Sequence, residues 1–209
     1  MASPARAKQE PRRAGLRERK KAATRAGLRE AAVRLGRDLG PTAVTVEEIC
    51  AEVDVAPRTF FNYFATKDDA FFGADPDQLT DITARVADRP TGEEALDAVA
   101  AVLADIVDDA TGSTVWHEQL LLLREHPQLL PRLHASTRAV ETALAEGVAL
   151  RTGRAVAEPY VLTVAAVAMA GLRVAITVWL DSPDGSDPRR LLGEIVGTIR
   201  AGLTPAAGC

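Results

Sequence analysis

The sequence predicts an all-α protein, and three observations carry that prediction. Ala, Leu, Arg and Val dominate a chain of 209 residues in which aromatic residues make up only 4%, a composition that favours helices over sheets. Apolar residues recur at helical spacing in one segment after another, and no β-branched alternation reads as a strand. Proline, glycine and capping residues stand where those segments start and stop. With 47% apolar residues, the chain can bury a sizeable core as one or two domains.

Residues 1–16, rich in Ala, Arg, Pro and charge, read as a flexible basic arm. A first helix spans 17–39, with Leu28, Ala32, Leu35 and Leu39 on its apolar face and Gly40-Pro41 as its stop. Its early turns carry Arg17, Arg19, Lys20, Lys21 and Arg25, which form either a solvated face or a row of phosphate contacts.

Thr45 and Glu48 have the spacing of a capping box, in which each side chain satisfies an amide left unpaired at a helix start. The helix that follows is about two turns long, with Val46, Ile49 and Val53 on its apolar face. Asp54-Val55 is the turn, because Asp tolerates the left-handed backbone that bends the chain sharply. Pro57 then suits the first turn of a second helix, predicted over 57–64, since its missing amide would be unpaired there anyway.

In that second helix Phe60 and Phe64 lie four apart and pack inward. The other face holds Arg58, Thr59, Asn62 and Tyr63, with Phe61 beside them. Arg bridges guanine edges or phosphates, Asn pairs with adenine edges, Thr and Tyr hydroxyls donate to phosphates, and an aromatic ring touches thymine methyls. Two short helices, a tight turn and such a face make a helix-turn-helix, whose second helix enters the major groove. Charge agrees with this: residues 1–67 hold 14 Lys and Arg against 8 Asp and Glu, whereas the remainder holds 11 against 21. On this reading Arg12 and Arg13 of the arm are candidates to follow DNA into the minor groove.

Thr66 and Asp69 repeat the capping-box spacing and start another helix. Lys67 in its first turn opposes the helix dipole, and a phosphate arriving at that helix start would account for it. After the break GADPDQ a helix resumes to about residue 88, followed by helices near 93–109, 115–125, 127–151, 159–180 and 188–203. The stretch from Val161 to Leu180 is long and apolar enough to span a bilayer, but it contains Arg173 and many small residues, so a buried helix is the better reading. Ala165, Ala168, Gly171 and Ala175 fall on one side, where another helix could approach closely. The last helix has an apolar stripe of Leu191, Leu192, Ile195, Val196, Ile199 and Leu203.

Catalysis finds no support. There is no nucleophile elbow, phosphate loop or dinucleotide fingerprint, and no cofactor is expected. His117, His126 and His134 lack the spacing that puts two metal ligands on one helical face, so no metal site is expected. Cys50 and Cys209 cannot build a disulfide framework, and the N-terminus lacks the apolar core of a secretory signal, so a cytoplasmic location is expected.

The run Ile49-Cys50, Val55-Ala56, Thr59-Phe60-Phe61-Asn62-Tyr63-Phe64 and then Lys67 resembles the signature of the tetracycline-repressor-like (TetR) family. Cys50, Asp54 and Ala56 depart from it, standing where the family usually has Ala, Gly and a Ser cap. The motif-level resemblance covers about residues 17–70. It implies an N-terminal three-helix helix-turn-helix domain over 17–65 and a C-terminal helical ligand-binding and dimerisation domain over 66–209. It implies DNA contacts from Thr45, Pro57, Arg58, Thr59, Phe61, Asn62, Tyr63 and Lys67, with Tyr63 and Lys67 on phosphates and Arg58, Thr59 and Asn62 nearest the bases. It further implies a homodimer through the last two helices, a palindromic double-stranded operator and repression relieved by a small-molecule effector. Candidate ligand residues are Trp116, Leu120, Leu123, Met169, Leu172, Arg173 and Ile176, with Trp179 beside them. Arg173 either pairs with an acid in the core or interface or holds an anionic ligand group. Two alternatives stand: a DNA-binding module whose C-terminal half docks a partner protein, and an enzyme with an accessory nucleic-acid domain.

Overall fold

The computed structural model describes residues 10–181 and 187–203. Residues 1–9 of the predicted arm, and the side chains of Arg12 and Arg13, lie outside that description. The described residues form ten α-helices and no strand: α1 Glu10–Leu39, α2 Val46–Glu52, α3 Pro57–Phe60, α4 Lys67–Phe72, α5 Pro76–Ala87, α6 Ala95–Thr111, α7 Thr114–Glu125, α8 Leu130–Thr152, α9 Pro159–Asp181 and α10 Pro188–Arg200. A 3-10 turn at Pro127–Leu129 leads into α8.

Three boundaries differ from the sequence expectation. Helix α1 begins at Glu10 and not at residue 17, because a proline in the first turn costs no hydrogen bond and the alanine- and arginine-rich run after it favours helix. Helix α3 ends at Phe60 and not Phe64. Its continuation is held by the Asn62 amide donating to the Thr59 carbonyl and the Tyr63 amide donating to the Phe60 carbonyl, bonds of the tighter 3-10 kind. Helix α10 ends at Arg200 and not at residue 203. The chain forms two compact units, the first of residues 1–73 with 117–132 and the second of residues 74–116 with 133–209.

Long-range contacts explain that division. In the first unit Phe71 of α4 is fully buried against Gly36 of α1, so closely that a Cβ on Gly36 would stand 2.6 Å from its ring. Leu122 of α7 is buried at the same glycine, and the Gln119 side chain donates to the Phe71 carbonyl. Arg37 pairs with Glu118 at 3.0 Å and with Glu125, while Arg132 pairs with Asp69 at 3.3 Å. Leu28 and Ala32 are buried as expected, but Leu39 is 54% exposed: α1 ends there, and Gly40, at φ +84°, turns the chain away.

The second unit is built on α5, α6, α8, α9 and α10, with Ile82, Val86, Val99, Leu103, Leu144, Val148, Val161 and Leu192 in its core. Helix α9, the one described helix long and apolar enough to cross a membrane, packs on α6 and α10, and Val161, Val164, Ala165, Ala168 and Gly171 are buried along it. Gly171 permits the close approach anticipated for this side, since a Cβ there would stand 3.3 Å from Ile195 of α10. Leu192 and Val196 of α10 are buried, whereas Leu203 is exposed because the helix ends at Arg200 and Leu203 sits in the turn beyond, at φ +60°.

Candidate nucleic-acid interface

The interface is assembled by local bonds first. Thr45 and Glu48 form the capping box: the Thr45 amide donates to the Glu48 carboxylate at 2.8 Å, the Thr45 hydroxyl does the same, and the Glu48 amide donates back to that hydroxyl at 3.2 Å. After α2, Asp54 takes φ +53°, the left-handed turn read from the sequence. Ala56 caps α3 without a side-chain bond, an omission worth about 1 kcal/mol relative to Ser. Pro57 occupies the first helical position.

This geometry separates the two faces of the segment 57–64. Phe60 and Phe64 are buried, with ring centroids 5.3 Å apart. Arg58, Asn62 and Phe61 are exposed, Phe61 by 58%, and Thr59 and Tyr63 are half-buried at the edge. Phe61 stands edge-on to Phe60 at 5.5 Å, which holds an apolar ring in solvent beside the polar face. The outward groups are therefore a guanidinium, a carboxamide, two hydroxyls and an aromatic ring, the set that reads base edges and phosphates.

Two expected DNA-contacting residues have structural work within the chain. Thr45 is exposed, but its single hydroxyl proton is committed to Glu48, so it acts as a cap and has no donor left for phosphate. The Lys67 ammonium donates to the Val44 carbonyl at 2.6 Å and to the Thr42 carbonyl at 3.3 Å. Its placement against the helix dipole is thus explained by the loop before α2, and one of its three N–H groups remains for an anion.

The capping box also sets a pH dependence. The Thr45 amide and hydroxyl hold the Glu48 carboxyl below the usual carboxylate range. A carboxyl lowered on folding adds stability that is complete at neutral pH and is lost as pH falls through its lowered value. Removing the cap hydroxyl in Thr45→Ala is expected to lower stability by about 1 kcal/mol at neutral pH. Urea denaturation checks this, and the gap between variant and parent should narrow in acid.

What sequence reasoning missed is Arg25. The sequence places it in a basic run that forms either a solvated face or a row of phosphate contacts, yet it is the one buried charged residue among the described residues, only 9% exposed. Its Nη1 donates to the Tyr63 carbonyl at 2.7 Å, and its guanidinium lies 4.8 Å from the centre of the Phe64 ring. Arg29, one turn on, lies 5.7 Å from the same ring and donates to the Gly73 carbonyl. No local signal marks these contacts, because the partners are 38 and 44 residues away. Arg17, Arg19 and Lys20 are exposed as expected.

The expected ligand residues are divided between the two units. Leu120 and Leu123 belong to the first unit and are half-buried. In the second unit Met169 is buried in the core, Leu172 and Ile176 are half-buried, and Trp116 packs on Trp179 with centroids 5.3 Å apart. Arg173 is exposed, on the outward arc of α9, so it forms no ion pair in the core. Two open clefts in this unit have other linings. One of about 320 Å³ lies between Ala100, Ala104, Leu192 and Val196, and one of about 600 Å³ lies between Thr83, Glu146, Leu150 and Arg154.

Residues 93–204 match the family described as the MftR C-terminal domain, and residues 28–72 match the bacterial regulatory proteins of the tetR family. The HTH-type transcriptional regulator TcmR of Streptomyces glaucescens is 32% identical over 152 residues, covering 68% of this chain and 66% of TcmR, just under two thirds of that relative. The fold is similar to that of the SmeT-triclosan complex, with a TM-score of 0.57 and 14% identity over 86% of this chain and 91% of SmeT. It is also similar to native NalD, the secondary repressor of the MexAB-OprM multidrug efflux pump in Pseudomonas aeruginosa, with a TM-score of 0.50 and 20% identity over 87% of this chain and 97% of NalD.

Proposed function

This chain belongs to the TetR family of bacterial transcriptional regulators, and from that premise we propose that it is a cytoplasmic repressor that binds a palindromic operator as a homodimer and is released by a small-molecule effector. The observation that carries the DNA-binding part is the outward face of Arg58, Asn62 and Phe61 over the buried pair Phe60 and Phe64. Arg58 and Asn62 read base edges, Thr59 and Tyr63 reach bases or phosphates, and Lys67 offers its remaining donor to the backbone.

Dimerisation is supported by α9. Leu162, Ala166, Val174, Val178 and Leu180 lie within the exposed arc of that helix, opposite the side packed on α6 and α10. An apolar strip of this kind marks a surface that another protein covers, and a two-fold partner places two reading segments about one DNA turn apart. Arg173 stands within this strip, which favours a role at the subunit interface over one in a ligand pocket.

An effector is supported by SmeT, which shares the fold and was solved with triclosan, and the second unit has open clefts at its surface. Trp116 and Trp179 form an aromatic pair suited to stacking on a flat ligand. Release requires that the ligand bind more tightly to the dimer that no longer fits successive grooves. A thermal-shift screen of a compound library against the purified protein tests this. Compounds that raise the melting temperature should also weaken binding to an operator duplex recovered by selection. Hits that leave operator binding unchanged, or none at all together with a tightly bound partner protein, would favour the docking alternative.

A further inference from the structure

We propose that Arg25 is a positioning residue that sets the pose of the DNA-reading segment, acting through Tyr63 and Phe64. The inference rests on the reading face described above and adds to it a residue that does not itself touch DNA.

Helix α3 stops at Phe60, so the reading segment continues through Phe61, Asn62 and Tyr63 as a turn whose backbone bonds, Asn62 to Thr59 and Tyr63 to Phe60, are local and of the 3-10 kind. A turn of this length has little intrinsic stability and takes the pose its surroundings impose. Arg25 supplies that constraint from α1. Its Nη1 satisfies the Tyr63 carbonyl at 2.7 Å, and its guanidinium lies over the Phe64 ring on which the turn ends. Arg29 lies over the same ring and donates to the Gly73 carbonyl, so two successive turns of α1 hold both ends of the stretch from Tyr63 to Gly73. A bond from a charged donor to a carbonyl in a buried site is stronger than one between neutral groups, and a planar guanidinium both stacks and donates where an ammonium only donates. Buried as it is, Arg25 cannot exchange these partners for a phosphate without leaving the core.

The test uses Arg25→Met, which keeps an apolar stem of similar length, and Arg25→Lys, which keeps the charge and N–H donors but not the planar fork. Full-length protein is labelled with 3-fluorotyrosine. The chain has two tyrosines, Tyr63 and Tyr160, so two fluorine resonances are expected, with Tyr160 as an internal reference. In Arg25→Met the Tyr63 resonance should move while that of Tyr160 stays. Preference for the selected operator over a scrambled duplex should fall about tenfold, with the salt dependence of scrambled-duplex binding unchanged. Arg25→Lys should recover part of both effects.

Loss of affinity for every duplex with a shallower salt slope in Arg25→Met, both restored by the charge kept in Arg25→Lys, would make Arg25 a phosphate contact and overturn the proposal. So would an unmoved Tyr63 resonance with full preference in Arg25→Met. If Arg25→Met does not fold, Arg25→Lys decides by the same readouts. A parent protein that prefers no duplex at all sinks the DNA-reading assignment itself, an outcome distinct from a failure of Arg25 alone.

Discussion

Arg58→Ala or Asn62→Ala is expected to lower affinity for the operator by about 10- to 100-fold while leaving affinity for unrelated duplexes nearly unchanged. Both side chains are exposed, lie four residues apart, and have no side-chain partner among the described residues. Their loss therefore leaves the fold intact and removes only what they do outside it. Arg offers a fork of donors matched to guanine, and Asn offers a donor and an acceptor matched to adenine, so each deletion should relax preference at one base position. Lys67→Ala is the contrasting control. It should weaken binding to all duplexes and lower the salt slope by about one, and it should also lower stability, because Lys67 holds the Val44 and Thr42 carbonyls. Fluorescence anisotropy titrations at several salt concentrations separate the two patterns. Equal losses on operator and scrambled duplex for Arg58→Ala would contradict base readout.

The second large effect lies in the core of the second unit. Gly147→Ala is expected to destabilise the protein by about 1–3 kcal/mol. Helix α8 crosses α5 at this glycine, where an added Cβ would stand 2.7 Å from Cβ of Val86 and 2.8 Å from the Thr83 backbone carbonyl oxygen. Neither neighbour is the free end of a flexible side chain, so one helix must shift, and the fully buried Leu144, Val148 and Val86 shift with it. The Thr83 hydroxyl also donates to the Ala143 carbonyl at 3.0 Å, a bond that ties the same two helices together. Chemical denaturation should show the loss as a lower midpoint. An unchanged midpoint would mean that this crossing is looser than described.

What was legible in the sequence was local. The capping boxes at Thr45 and Thr66, the left-handed Asp54 and the Phe60–Phe64 spacing each involve residues within four positions, and all are present in the structure. The bounds of α6 to α10 came out within a few residues for the same reason, because proline and glycine mark them. What failed depended on distant partners. Arg25 and Arg29 look like solvated charges until Phe64 is brought beneath them, and Lys67 looks misplaced until the Val44 carbonyl arrives. His117–Arg132 joins the first unit through Leu122, Gln119 and Arg132, none of which carries a sequence mark of that partnership. For Arg173 the sequence leaves a core, an interface and a ligand role open, because the exposed arc of α9 is largely apolar as well and hydropathy does not say which side faces the core. Pocket residues were the least legible, since a wall of a cavity and a member of a core are made of the same side chains.

The central claim is that the face bearing Arg58, Thr59, Asn62 and Tyr63 lies against base edges. Selection of bound duplexes from a randomised pool at moderate ionic strength tests it most directly. The expected result is enrichment of a sequence with two-fold symmetry and half-sites about one helical turn apart, and loss of that enrichment with Arg58→Ala and Asn62→Ala. A pool that stays random with the parent protein, or the same sequence enriched equally by both variants, would contradict it.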